Sequence, residues 1–191
     1  MKIIELTGTA DTSGALTLTA DSMEIGHIEK IVMDYQTGDA IADLVITEEG
    51  IVSQPVLTVT NLGVVDLTWM PRALCNKVAD ASAFTDVIEK IFVTGKMKAV
   101  VSGSTVTIGT IDGDTTTITV DTSAAHNLVA GDTVTIAGTT NYNGTYTVAT
   151  KTDADTFTIT DADHNEESES EGTMVQAGCT YRFLVYLSDW N

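Results

Sequence analysis

The three histidines are the residues best suited to acid–base catalysis or metal binding, and their spacing supports neither role. His27, His126 and His164 lie far apart, and none is near a Cys or a second His at the spacing of a metal site. His126 stands in the segment AAHNLVAGD, which favours a turn that leads into a strand. The sequence therefore predicts no catalytic or metal-binding role for these residues.

Acidic side chains offer a second kind of chemistry. The run from Asp161 begins like a calcium-binding loop, but Glu166 replaces the Gly of position six and Gly172 replaces the Glu of position twelve. The pairs Asp112–Asp114 and Asp153–Asp155 fit turns, where Asp bonds to its own backbone. Two carboxylates for glycoside hydrolysis can occur in any chain with 27 acidic residues, so a carbohydrate-active enzyme stays an alternative. We expect no catalytic residue, no metal, no cofactor and no enzymatic activity.

Aromatic and basic side chains near residue 70 and residue 190 indicate protein binding. Trp, Met and Arg are enriched in protein interfaces, and residues 69–72 read Trp-Met-Pro-Arg. We predict that Trp69, Met70, Arg72 and Trp190 contribute to an interface. The alternative for Trp69 is a core position in a strand that Pro71 ends.

The balance of charge narrows the possible partners. The 191 residues include nine Lys and Arg against 27 Asp and Glu, which gives a net charge of −18. A chain this acidic repels the phosphates of nucleic acids and of anionic lipids, and no apolar run has the length of a membrane span. We therefore expect neither a nucleic acid nor a membrane as a partner.

The two cysteines, Cys75 and Cys179, are too few for a disulfide scaffold. Each is predicted to be a small buried hydrophobic residue. A single bridge between them stays open as an alternative.

The spacing of apolar residues predicts strands along most of the chain. Residues 131–160 alternate Thr, Val, Ile, Tyr and Phe with small polar residues, broken by Gly, Asn and Asp, which is typical of short antiparallel strands. Similar segments recur about every 8–12 residues in the first hundred residues, as in a sandwich or barrel. Residues 71–86 break the pattern and fit a long loop or one short helix. We predict an all-β fold.

A change of composition divides the chain. From Thr105 to about Thr160, Thr, Gly, Asp and Asn become more frequent and large aliphatic residues decline, and an acidic run follows. Tyr181–Leu187 (YRFLVYL) is too apolar for a free tail and needs a sheet to join. We predict a discontinuous core domain of β-strands, 1–103 plus 173–191, and an inserted domain with its acidic linker, 104–172.

The inserted segment resembles a small β-barrel module that recurs in structural proteins of bacteriophages. The pattern H-x-L-x-x-G-D-x-V-x-I-x-G runs here from His126 to Gly138, Y-N-G-T-Y-x-V from Tyr142 to Val148, and T-F-T-I from Thr156 to Ile159. The module is often likened to the first catalytic-cysteine half-domain of ubiquitin-activating enzymes. No cysteine lies in this segment, so no catalytic residue is carried over.

The flanking segments resemble capsid decoration (cement) proteins of tailed phages. The shared elements are a turn at 7–14, Leu57–Asn61, the aromatic-Pro-Arg segment at 69–72, a run at 95–103 and the aromatic strand Tyr181–Leu187. The resemblance implies a jelly-roll-like antiparallel β-sandwich. It also implies a homotrimer or homodimer on the exterior of the virion capsid, made in the host cytoplasm and bound to the major capsid protein.

These observations predict a structural virion protein that stabilises a capsid by binding across the seams between capsomers. The alternative from another class is an adhesin-like module of a tail or fibre that binds a glycan or protein of the host surface. The two differ in copy number, which is high for capsid decoration and low for a tail adhesin.

Overall fold

The computed structural model describes residues 1–37, 41–50, 53–63, 65–70, 87–88, 92–162 and 168–188. These residues form strands, turns and bends and contain no helix. All ladders between the described strands are antiparallel. The prediction of an all-β, antiparallel fold is confirmed. The loop or helix expected at 71–86 lies outside the described residues.

The described chain contains the following strands: β1 (Lys2–Thr9), β2 (Leu16–Thr19), β3 (Gly26–Thr37), β4 (Asp43–Glu49), β5 (Gln54–Val59), β6 (Leu67–Trp69), β7 (Val87–Ile88), β8 (Phe92–Val93), β9 (Lys96–Ser102), β10 (Val106–Asp114), β11 (Thr117–Thr122), β12 (Thr133–Ala137), β13 (Gly144–Thr147), β14 (Thr150–Lys151), β15 (Thr156–Thr160), β16 (Ser168–Glu169), β17 (Thr173–Ala177) and β18 (Thr180–Ser188).

The chain divides into two compact units. The first unit comprises Met1–Ala10, Ala15–Ser102 and Cys179–Asn191, and the second comprises Asp11–Gly14 and Gly103–Gly178. The composition places the end of the inserted segment at residue 172, whereas β17 pairs with β10 and β12 and so belongs to the second unit. The predicted boundary lies at the end of the acidic run, where the charge of the sequence changes. A change of charge does not reveal strand pairing, and the next strand, β17, still pairs with strands of the second unit.

The first unit is a sandwich of two sheets. The first sheet has the strand order β1-β18-β3-β6, with β8 also paired to β3, and the second sheet has the order β2-β9-β4-β5-β7. Buried residues of both sheets form one cluster, to which Leu6 and Met33 contribute from the first sheet and Leu44, Val59 and Met97 from the second. A shared core of this kind requires the sheets to pack face to face, as the predicted β-sandwich does.

Strand β18 joins the two ends of the chain within the first sheet. It pairs with β1 from Thr9↔Thr180 to Lys2↔Leu187, and with β3 on its other side. Its alternate residues Tyr181, Phe183, Val185 and Leu187 are at most 3% exposed. Burying each such side chain contributes about 1.5–3 kcal/mol. The aromatic strand Tyr181–Leu187 therefore joins the sheet of the first hundred residues, as its apolar character predicts.

The second unit is a single antiparallel sheet with the order β13-β12-β17-β10-β11-β15-β14, and β16 pairs with β10. Strand β10 connects its two halves, because it pairs with β17 at residues 106–107 and with β11 from Ile108 to Asp114, with a register shift between Ile108 and Thr110. Its core includes large side chains that are fully buried: Ile108, Ile111, Ile118, Tyr142 and Phe157.

The sequence predicts a small closed barrel for this segment, and the structure differs at one place. In the part of the unit that is described, no ladder joins the edge strands β13 and β14. These strands are instead consecutive along the chain and are linked by Val148 and Ala149. The N–H of Val148 donates to Asp132 O at 2.8 Å, and the N–H of Ala149 donates to Thr158 O at 2.8 Å. The carbonyl of Val148 also accepts the N–H of Gly131 at 2.9 Å. A few backbone hydrogen bonds of Val148 and Ala149, and not a strand ladder, therefore connect the two edges.

Two glycines allow backbone segments of the second unit to meet. Gly14 has a φ of +72°, and its carbonyl accepts a hydrogen bond from the N–H of Gly103 at 3.0 Å. A Cβ on Gly103 would lie 2.9 Å from the Cα of Gly14 and 3.0 Å from Cγ2 of Val175. This position therefore has no room for a side chain.

Replacing Gly103 by Ala is expected to lower the free energy of unfolding by about 1–3 kcal/mol, because the methyl group must displace backbone atoms. The matched control is Gly109→Ala, whose Cβ would meet its nearest atom, Asp121 O, at an ordinary 3.4 Å. Urea denaturation of both variants measures the difference. Equal stability of the Gly103→Ala variant and the wild type would contradict this close approach.

Candidate interaction surface

Of the four residues predicted to form an interface, the described structure includes Trp69 and Met70. Trp69 lies on β6 opposite Ile31 and is 8% exposed, so it is a core residue, in agreement with the alternative interpretation. Met70, the next residue, is 51% exposed. Arg72 and Trp190 lie outside the described residues.

A different surface of the first unit has the properties of an interface. Because side chains alternate along a strand, the residues between the buried positions of β1, β18 and β3 point away from the core. Ile3 is opposite Tyr186, and Leu184 is opposite Val32. Ile3 is 50% exposed, and the other three are half-buried. We call Ile3, Val32, Leu184 and Tyr186 the apolar patch of the first sheet.

Charged side chains border the apolar patch and are already engaged with their neighbours. Arg182 of β18 donates to Oε1 of Glu5 on β1 at 2.8 Å and to Oδ2 of Asp34 on β3 at 2.8 Å. The two carboxylates, Glu5 first, raise the pKa of Arg182. Lys30 places its Nζ 4.2 Å from the centre of the Tyr186 ring. This border ties three adjacent strands together and fixes the positions of the apolar side chains.

More exposed apolar residues flank an ion pair at the end of this sheet. The Lys2 ammonium bonds to the carboxylate of Glu24, which also accepts the hydroxyl of Ser22 at 2.6 Å. These bonds, that from Lys2 first, lower the pKa of Glu24. Of the large apolar side chains that are exposed in the described chain, four adjoin this pair in sequence: Met1, Ile3, Met23 and Ile25. These exposed side chains adjoin the residues at which β1 and β3 begin.

The outer face of the second sheet is different in character. Its central pair is Val45 opposite Val100, and the next pairs are Thr47 with Lys98 and Glu49 with Lys96. Lys98 and Glu49 form an ion pair at 2.9 Å. This face carries small, β-branched and charged residues, as expected of a surface in water. Of the two outer faces of the sandwich, that of the first sheet is therefore the candidate for binding a partner.

The histidine with the most unusual surroundings has a structural role. His126 is 1% exposed, its ring packs edge-on against Phe157 with centroids 5.1 Å apart, and its Nδ1 accepts the N–H of Leu128 at 3.0 Å. Nε2 is therefore the protonated nitrogen of the neutral ring, and it has no hydrogen-bond partner in the described structure. Burial lowers the pKa of His126. His164 lies outside the described residues.

The acidic residues considered for chemistry also serve local structure. Oδ1 of Asp153 accepts the N–H groups of Asp155 and Thr156, as in an Asx turn. Asp161 accepts the hydroxyl of Tyr146 at 3.3 Å, and burial together with this carboxylate raises the pKa of Tyr146 to about 12. Among the described residues, no group of three or more His, Cys, Asp or Glu is placed to hold a metal ion.

Two further features concern the cysteines and membranes. Cys179 is 3% exposed, which agrees with its prediction as a buried residue, and Cys75 lies outside the described residues. Within the described ranges, no helix is long and apolar enough to cross a membrane.

No protein-family model matches the chain, and no curated protein matches it. Among solved structures, phage phi92 endosialidase matches over 100% of this chain and 30% of that chain, with 15% sequence identity and a TM-score of 0.30. The chain therefore spans less than a third of the length of that protein. A likeness at this TM-score carries no argument about fold, substrate or activity.

The burial of His126 predicts how stability depends on pH. The folded chain keeps this ring neutral, with a pKa below the ordinary 6.5, whereas the unfolded chain takes up a proton near that value. The free energy of unfolding is therefore expected to fall as the pH is lowered from about 7.5 to about 5, by at most about 1.4 kcal/mol per pH unit from this group. Among the charged side chains, Lys151 also lowers the pKa of His126, whereas Asp155 and Asp153 raise it, and each of these effects is smaller than that of burial.

An NMR titration of the His126 ring measures its pKa, and urea denaturation at several pH values measures the stability. The variant His126→Gln is expected to be less stable at high pH and to lose this part of the pH dependence. His27→Gln, in the first unit, is the control that keeps it. A titration midpoint at or above 6.5 for His126 would contradict the burial argument.

Proposed function

We propose that the chain is a structural protein of a tailed-phage particle, which binds the outside of the capsid and stabilises it. The observation that carries this proposal is the apolar patch of the first sheet, an ordered and partly exposed apolar surface on a β-sandwich. The segments that form this sandwich resemble capsid decoration proteins in sequence, and this resemblance indicates the class of protein. The acidic side chains and the His126 ring described above take part in turns, packing and ion pairs, and we propose a binding protein and not an enzyme.

The distribution of charge supports the first unit as the part that binds. The second unit has 13 acidic residues and one basic residue, Lys151, whereas the first unit has 14 acidic residues and the other eight basic ones. Net negative charge keeps copies of a protein apart in solution. The second unit, with a net charge of −12, is therefore poorly suited to contact its own copies, and the first unit, with a net charge of −6, is the better candidate for a contact.

Capsid binding at moderate affinity suffices for this role. A standard interface buries about 800 Å² on each partner, and a protein that binds a particle but not its dissociated parts stabilises the particle by mass action. If the chain is a dimer or trimer, as we propose, each assembly has several contacts with the shell, and partial release leaves it near its sites. Many weak contacts can thus hold a shell closed.

Particles that lack the chain are expected to release their DNA at a lower temperature than complete particles, because the stabilising contacts are missing. A thermal-release assay with a DNA-binding dye measures this, and adding back the purified chain is the control that restores the higher temperature. Equal release temperatures with and without the chain would contradict the proposed role.

Counting copies separates capsid decoration from the alternative, a tail or fibre adhesin. Quantitative mass spectrometry of purified particles is expected to find the chain in numbers comparable to those of the major capsid protein. A count of only a few copies per particle, with binding to host cells, would instead support the adhesin.

A further inference from the structure

We propose that the apolar patch of the first sheet is the surface that docks on the partner, and that the partner presents an apolar surface bordered by Lys and Arg. This inference rests on the proposed function, in which that partner is the capsid shell. It goes beyond it by assigning the face of the chain that binds and the chemistry of the surface that receives it.

The size of the face fits a protein contact. Three neighbouring strands, β1, β18 and β3, spaced about 4.8 Å apart make it about 14 Å wide, and the three residues of β6 widen it only beside Ile31–Met33. Strand β18 has nine residues, which at about 3.3 Å each make it about 30 Å long. The area, roughly 500 Å² with β6 included, is more than half of the 800 Å² or so that one partner contributes to a standard interface.

The residues of the apolar patch are held in place before a partner binds, which favours tight binding. Leu184 and Tyr186 project from β18, which is hydrogen-bonded on both sides, so their backbone is already fixed before any partner arrives. Arg182 is held by two carboxylates and Lys30 lies on Tyr186. Little conformational entropy is lost when such a surface is covered, and preorganisation of this kind raises affinity.

Charge determines which kind of partner can bind the apolar patch. A second copy of the chain would bring a further net charge of −18 and would set the same Glu5–Arg182–Asp34 cluster against itself, so we expect any dimer or trimer of the chain to form through another surface. A nucleic acid or an anionic lipid surface meets the same repulsion. A protein with an apolar centre and a basic border meets attraction at long range and apolar contact at short range. The face is therefore assigned to a heterologous protein partner.

The test uses particles stripped of the chain and purified full-length variants. The double variant Leu184→Thr/Tyr186→Thr removes two of the four apolar side chains of the patch and replaces them with Thr, which favours strands. The matched control, Val45→Thr/Val100→Thr, alters the outward-facing pair at the centre of the second sheet. Circular dichroism and urea denaturation establish that both variants fold. Sedimentation of mixtures with stripped particles then measures binding.

We expect the Leu184→Thr/Tyr186→Thr variant to bind on the order of 100-fold more weakly than the wild type, since central apolar residues dominate interface energies. The control variant is expected to bind like the wild type. Binding of the wild type should weaken as salt is raised, because salt screens attraction to a basic border.

The possible outcomes separate the two proposals. If the wild type binds and both variants bind equally well, the assignment of this face is overturned while the proposed function stands. If the wild type fails to bind stripped particles at all, the proposed function itself fails. If analytical ultracentrifugation shows that the patch mediates self-association that strengthens with salt and is lost in the Leu184→Thr/Tyr186→Thr variant, the face belongs to a second copy and the assignment is likewise overturned.

Discussion

The alternation of side chains along β18 is the constraint on which the first unit depends. Tyr181, Phe183, Val185 and Leu187 fill the core from one side of this strand, and its remaining residues form the centre of the outer face. A shift of register by one residue would exchange the two sets. The ladders to β1 and β3 hold the register on both sides, so the packing of the core and the composition of the outer face are fixed by the same hydrogen bonds.

Net negative charge is divided unequally between the two units. The second unit carries most of the net negative charge, and its acidic side chains accept local hydrogen bonds, as Glu169 does from the N–H groups of Thr140 and Asn141. The first unit carries eight of the nine basic residues, and two of them, Lys98 and Arg182, form ion pairs between neighbouring strands. In the proposed function, the second unit keeps copies of the chain apart in solution and the first unit binds the capsid.

Much of the fold follows from the sequence because a period of two in apolar residues is a local property. It identifies β12, β15 and β18 and the all-β class. The position of β17 is not local, since it depends on pairing with β10 and β12. The prediction that Trp69 forms an interface rests on residue type, and residue type does not distinguish a core Trp from an exposed one.

The apolar patch is hidden from sequence analysis for a related reason. Ile3 and Tyr186 are 183 positions apart and become neighbours only through the register of β1 and β18. One signal was present: YRFLVYL contains apolar residues at both parities of the alternation, which indicates a strand with apolar residues on two faces. Such a strand in a two-layer sandwich is covered on one side by the core and leaves the other side for a partner.

A reconstruction of the intact particle by electron cryomicroscopy at side-chain resolution tests the central claim most directly. The account predicts that the outer face of the first sheet lies against the shell, with Leu184 and Tyr186 in contact with apolar residues and Lys or Arg of the shell around them. A reconstruction in which this face is turned to solvent, while the chain contacts the shell through another surface, would contradict it.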